Sequence, residues 1–114
     1  MVSRDQTVED NLQDLASVDK VIHEPARLSI VAHLYVVESA DALFLLRQTG
    51  LTWGNLSSHM SKLEAAGYIE VDKEFVGRKP HTMLRLTRKG RTAFEDYRSR
   101  MKHLFDDIRG GKPT

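Results

Sequence analysis

The 114-residue chain is long enough for one modest core and short for two, and with 40% hydrophobic and 29% charged residues it falls among folded globular proteins. The absence of cysteine excludes a disulfide framework and a thiolate metal site, and a reducing compartment is the natural setting. The net charge of +1 conceals a polarity: residues 1–50 carry four Lys/Arg against eight Asp/Glu, whereas residues 51–102 carry eleven against six. A segregated basic half is the electrostatic footprint of a nucleic-acid binder. The opening "MVSRDQTVED" lacks the apolar core of a signal peptide, and "IVAHLYVV" and "ALFLL" are too short to span a bilayer. The expectation is a soluble, unprocessed cytoplasmic protein with no membrane partner.

Thr7 and Asp10 have the spacing of a capping box, and Leu12, Leu15, Val18 and Ile22 follow at helical intervals, which predicts a first helix from about Thr7 to Val21. Pro25 suits a first helical position, because its missing N–H would be unpaired there anyway. A second helix should therefore run to about Val36, with Leu28, Val31, Ala32 and Tyr35 on one face. A short extended piece near Glu38 precedes a helix from Asp41 to Gln48, which Gly50 ends in the left-handed conformation. Thr52 then caps a helix in which Trp53, Leu56, Met60 and Leu63 share one face, and Gly67 stops it.

After Gly67 the period changes to two. "YIEVDKEF" and "HTMLRL" read as strands of an antiparallel hairpin, with "VGRKP" as the turn and Arg78 and Lys79 at its tip. Thr87 caps a last helix whose Phe94, Tyr97, Met101, Leu104 and Ile108 recur as an a/d seam. "RGGKPT" reads as a frayed tail.

The outward row of the helix that Thr52 caps is unusual. Gly54, Asn55, Ser57, Ser58 and Ser61 stand where a solvated helix normally carries long charged side chains. Small residues let a backbone approach a duplex closely, and their hydroxyls and amides bond to phosphates or base edges. Small residues also permit close packing against another protein, but the basic hairpin that follows favours a groove. Lys62, Arg78, Lys79, Arg85, Arg88, Lys89 and Arg91 would supply sequence-independent attraction to phosphates. Without an Arg on the helix, the usual reader of guanine, sequence preference should rest partly on DNA shape and on the hairpin.

From "LTWGNLSSHMSKLEAAGYIEVDKEFVGRKPHTMLRLTRKGRTAF" the sequence closely resembles winged helix-turn-helix transcription regulators, the group that contains MarR-type and ArsR-type proteins. The resemblance covers roughly residues 24–95 and is densest at "GNLSSHMSKLEAAGYI", "GRKP" and "LRLTRKGRTAF". It implies an α+β fold, mainly helical with a small hairpin. It also implies that the recognition helix, residues 52–66, enters the major groove, that the wing, residues 75–80, reaches an adjacent minor groove or the backbone, and that the terminal helices pair two subunits.

Together these readings give residues 1–23 as an N-terminal helix at the dimer contact and 24–90 as the DNA-binding unit. Residues 87–108 form the dimerisation helix and 109–114 a flexible tail. The candidate DNA contacts are Thr52, Gly54, Asn55, Ser57, Ser58, Ser61, Lys62, Arg78, Lys79 and His81. The candidate dimer contacts are Leu12, Leu15, Phe94, Tyr97, Met101, Leu104, Phe105 and Ile108.

Trp53, on the same face as Leu56, Met60 and Leu63, is expected in the core or at its boundary. The five histidines, at 23, 33, 59, 81 and 103, lack the close pairing of a zinc site, so no metal or other cofactor is expected; His59 and His81 would contact phosphate or satisfy the core. Ser58 and His59 cannot form a nucleophile–base pair, since helix neighbours point about 100° apart, and an enzyme is not expected. The functional expectation is a dimeric, sequence-specific DNA-binding regulator, a repressor on an inverted-repeat operator. The alternative is a winged-helix protein-interaction module without nucleic acid. A small-molecule effector, if there is one, would sit at the dimer interface or between the end helices and the winged core.

Overall fold

The computed structural model describes residues 15–110. Leu15 and Ala16 are helical, and the chain then turns through residues 17–24. The first helix was expected to continue to Val21, but Asp19 stops it: its Oδ1 accepts from the N–H groups of Val21 (2.8 Å) and Ile22 (3.2 Å), bending the backbone into a side-chain-closed turn. The expected start of that helix, with Leu12, lies outside the described residues.

Helix α1, Pro25–Val37, begins as the sequence predicts. Glu24 is the N-cap, with its carboxylate accepting from Arg27 N–H at 2.8 Å, and Pro25 follows it. The buried face of α1 is wider than the periodicity suggests: Ile30, Val31 and Leu34 are buried, and Leu28, Ala32 and Tyr35 line its margins. A helix touched by two other helices, the sheet and the last helix buries more than one stripe. It ends at Glu38, a non-glycine residue at φ 69°. Hydrogen bonds fix that conformation, from Glu38 N–H to Leu34 O and from Leu86 N–H to Glu38 O.

The extended piece after Glu38 is a true strand. β1, Ser39–Asp41, pairs antiparallel with residues 83–85. Helix α2, Ala42–Thr49, takes Asp41 as N-cap and ends at Gly50, φ 69°. Helix α3, Trp53–Ala65, takes Thr52 as N-cap; its Oγ1 accepts from Asn55 N–H at 3.2 Å.

Strands β2, Ile69–Val76, and β3, Lys79–Leu86, form the hairpin, and the sheet order is β1-β3-β2. Val76 faces Lys79, leaving the two-residue turn Gly77–Arg78. Gly77 at φ 66° with Arg78 outside the positive region is the first-position requirement of a type II′ turn, whose twist matches the strands. Helix α4, Arg88–Gly110, runs two residues further than expected into the segment read as a tail.

The core gathers Ile22, Ile30, Val31, Leu34, Ala40, Leu45, Leu56, Leu63, Ile69 and Leu84 from every element up to β3, and Phe94 and Tyr97 of α4 complete it. The start of α4 is tied to the α3–β2 turn. Thr87 N–H donates to Tyr68 O (3.0 Å), Thr87 Oγ1 donates to Gly67 O (2.6 Å), and the same hydroxyl accepts from Gly90 N–H (2.9 Å). Gly90 is where the backbones come closest, since a Cβ there would lie 2.2 Å from Tyr68 O.

Candidate nucleic-acid interface

Leu56 and Leu63, seven residues apart, anchor α3 in the core, with Met60 and His59 half-buried beside them. A second anchor is polar. Arg27 of α1 donates through Nε to Val21 O (2.6 Å), and its Nη1 lies 3.1 Å from His59 Nδ1. His59 therefore holds α3 against α1, leaving the opposite side of α3 open. Thr52, Gly54, Asn55, Ser57, Ser58, Ser61 and Lys62 are all exposed, with Lys62 beside Lys20, Val21 and Arg27 on the α1 side. Gly54 has no internal reason to be glycine: a Cβ would meet nothing within 4 Å.

The hairpin is polarised between its two faces. The pairing register puts Ile69, Val71, Lys73 and Phe75 on the face toward α3, opposite Leu86, Leu84, Thr82 and Pro80. Glu70, Asp72 and Glu74 all point the other way, so every carboxylate of β2 lies on the outer face. Between α3 and the inner face runs a groove of about 300 Å³ lined by Trp53, Ser57, Met60, Ser61, Glu64, Val71, Lys73 and Thr82. At the far end of the hairpin Arg78 and Lys79 are exposed.

Of the α3 candidates, Ser57 and Ser61 line the groove whose other wall is the hairpin, whereas Lys62 lines a separate hollow with Lys20, Val21 and Arg27. The structure separates His81 from the α3 candidates. His81 sits on the outer face, half-buried, with Nδ1 2.6 Å from Asp41 Oδ2. That contact first, and the Leu43 N–H next, holds the Asp41 carboxyl below its ordinary value. The pair ties β3 to the N-cap of α2.

The expected cation set is also thinned. Arg85 is paired with Glu70, Lys89 Nζ lies 5.8 Å from the centre of the Tyr68 ring, and Arg91 covers the Tyr35 ring at 4.7 Å. The Tyr68 hydroxyl donates a hydrogen bond to Asp19, and burial, then that bond, pushes its pKa up to about 12.

Trp53 departs from its expected place. It is 50% exposed and forms one lip of the groove, because it is the first residue of α3 and the core has ended beneath it. Lys73, Phe75 and Thr82 were not singled out in the sequence, although strand parity with Ile69 and Val71 places the first two on the groove side.

The proposed dimer residues divide. Phe94 and Tyr97 are buried in the chain's own core, with the Phe94 and Tyr35 rings 4.9 Å apart and the Tyr97 hydroxyl 2.8 Å from His23 Nδ1. Met101 packs against that core and Leu104 is also buried. Phe105 and Ile108 are 56% and 58% exposed, and Leu15 is also exposed. Among the described residues no group of three or more His, Cys, Asp or Glu could hold a metal ion, and no helix is long and apolar enough to cross a membrane.

Residues 26–105 match the family described as "Winged helix DNA-binding domain". The chain belongs to that family. It is 36% identical over 78 residues to an uncharacterized protein of Methanocaldococcus jannaschii, covering 68% of this chain and 85% of the relative. A transcriptional regulator homologue from Pyrococcus horikoshii superposes with a TM-score of 0.79 at 25% identity, covering 87% of this chain and 97% of that one. The PcaV transcriptional regulator of Streptomyces coelicolor, solved with its natural ligand, shares the fold with a TM-score of 0.69 at 15% identity, over 97% and 77% of the two chains. MarR-like and ArsR-family regulators are among the other neighbours of the fold. The β2–β3 hairpin stands as the wing of such a domain. The family is one of DNA-binding domains, not of enzymes.

Proposed function

We propose that this winged-helix protein is a sequence-specific transcriptional regulator that acts in the cytoplasm as a homodimer on an inverted-repeat operator, as a repressor. The observation that carries the reading is the pairing of a small, polar, exposed α3 face with a groove whose other wall is the hairpin that ends in Arg78 and Lys79. Thr52, Gly54, Asn55, Ser57, Ser58, Ser61 and Lys62 would meet the major groove, while Arg78 and Lys79 would neutralise phosphates beyond it. His81 would act through Asp41 as a brace of the wing.

For the dimer, the exposed far end of α4, with Phe105 and Ile108, supplies the apolar surface, and Leu15 is a further exposed apolar residue. A dimer sets two recognition helices on half-sites about one turn, roughly 34 Å, apart. As a repressor it would act by occluding a promoter. The ligand held by the PcaV regulator supports a small-molecule effector here too, at the dimer interface or between α4 and the winged core.

Selection of bound duplexes from random DNA tests the reading. A recovered palindromic motif is expected. So is a kcal-scale loss of affinity in the Arg78→Ala/Lys79→Ala variant with folding intact. Failure to enrich any duplex, with a solution mass of one chain, would favour a protein-interaction module instead.

A further inference from the structure

Phe75 is the most exposed aromatic residue among those described, at 74%, and it sits near the tip of the wing. Nothing in the winged fold requires it there, and a wing that only collected phosphates would carry a polar residue. Its surroundings are ordered. Register places Pro80 directly opposite, on the same face, at the spacing where cross-strand side chains meet. Pro80 is tolerated because β1 reaches only Met83, so its missing N–H interrupts no ladder on that side. The tip is therefore a flat aromatic ring with a stiff pyrrolidine beside it.

Charge decides what such a tip can approach. The outer face carries Glu70, Asp72 and Glu74 against Lys79 and Arg85, the last paired with Glu70, whereas the inner face of the hairpin carries Lys73 and no carboxylate, which favours approach of a duplex from the inner face. There Lys73 lies in the groove with Ser57, Ser61 and Thr82, and the single carboxylate, Glu64, belongs to the opposite wall. A phosphodiester strand seated between α3 and Lys73 leaves Phe75 about 7 Å further along the strand, two residues at about 3.3 Å each. The minor groove is about 6 Å wide. Phe75 thus falls over the groove, with Lys73 on one side and the turn residue Arg78 on the other, while Lys79, paired with Val76, lies on the outer face. An apolar ring between two cationic points matches a base stack between two phosphate rims.

We propose that Phe75 is a wedge that enters the minor groove and parts two base pairs, kinking the operator. It rests on the DNA-binding reading above. Wedging unstacks flexible steps most easily, so the wing should prefer TA or CA/TG at its point of contact, which gives the protein a sequence preference without a hydrogen bond to a base.

The test uses the full chain and a duplex recovered from random-sequence selection, with 2-aminopurine at the wing-proximal step and a donor–acceptor dye pair at its ends. Wild type should raise the 2-aminopurine emission severalfold and shorten the end-to-end distance by a bend of about 20–90°. Phe75→Ala should abolish both signals and weaken binding about tenfold. It should leave the salt slope and melting temperature unchanged, because no cation and no core contact is removed. Phe75→Leu, a wedge of another shape, should restore the kink. Tight binding by wild type without unstacking or bending overturns the wedge and leaves the DNA-binding reading standing; no binding to any duplex overturns both. A change in solution mass on Phe75→Ala, with the DNA signals intact, overturns the wedge in favour of a contact between copies.

Discussion

Replacing Gly90 by Ala should be a good exchange by local rules, since Ala is about 1 kcal/mol better than Gly inside a helix. The fold predicts the opposite. The added Cβ would lie 2.2 Å from Tyr68 O and 2.9 Å from Tyr68 C, both backbone atoms that cannot swing aside, and 2.8 Å from Leu86 Cδ1. Relief needs α4 to retreat by about an ångström, which is an overpacking strain of about 1–3 kcal/mol. Retreat also stretches the bonds from Thr87 to Tyr68 O and Gly67 O, each worth about 0.5–1.5 kcal/mol. After the helical gain is subtracted, the net loss is about 1–5 kcal/mol, centred near 3. Against a domain stability of about 5–15 kcal/mol, that lowers the melting temperature by about 10 °C. Urea and thermal unfolding followed by circular dichroism would read it. A Gly90→Ala protein as stable as wild type would refute the close crossing of α4 over the α3–β2 turn, and with it the fixed angle between the hairpin and α3.

Duplex affinity should fall by about 10³ between about 50 and 200 mM salt if about six phosphates are neutralised. The Arg78→Ala/Lys79→Ala variant should reduce the salt slope by about two, and an unchanged slope would remove the tip from the interface. Asp41 caps α2, so Asp41→Ala should cost about 1 kcal/mol near neutral pH. Because contact with His81 and the Leu43 N–H depress the Asp41 pKa below 3.8, its ionised-form contribution is present above that value and fades as pH falls through the lower folded value. The gap between wild type and variant should therefore narrow in acid, and a constant gap down to about pH 2 would contradict the assignment. Trp53 is the sole tryptophan, so its emission reports on the groove alone. Bound duplex should shield it from iodide, and unchanged quenching would place the DNA elsewhere.

The boundaries of α1, α2 and α3 were legible because their signals are local. Glu24 before Pro25, Asp41 with Gly50, and Thr52 with Gly67 each act within a few residues of the end they define. What lay opposite each face was not legible. Periodicity groups Trp53 with Leu56 and Leu63, and Phe75 with Ile69 and Val71, yet both aromatics stand where the covering element has already ended. The reverse happened in α4. Its seam suggested an external partner, but α1 and the turn that carries His23 close over Phe94 and Tyr97. Charge behaved likewise, for Arg85, Lys89 and Arg91 meet Glu70, Tyr68 and Tyr35 only through tertiary contact. The pairing of three-residue β1 with β3 is also non-local, and so short a strand carries no period to read.

The outward face of α3 runs against its own helical stability, and that conflict provides a direct test of its role. Gly54 costs about 1 kcal/mol relative to Ala, and Ser57, Ser58 and Ser61 about 0.5 kcal/mol each. Burial of Leu56 and Leu63, at about 1.5–3 kcal/mol apiece, offsets this, together with the Thr52 cap. With open space around Gly54 and the three serines exposed, Ala at all four positions meets no steric objection from the protein itself. The quadruple variant should gain about 2 kcal/mol, seen as a higher urea midpoint at constant m-value. If the face reads a duplex, the same variant should lose its preference for the selected sequence, because three hydroxyls vanish and the close approach at Gly54 is blocked by a methyl group. A variant that is both more stable and equally selective would mean that nothing touches this face, and that its small residues are a cost without a function.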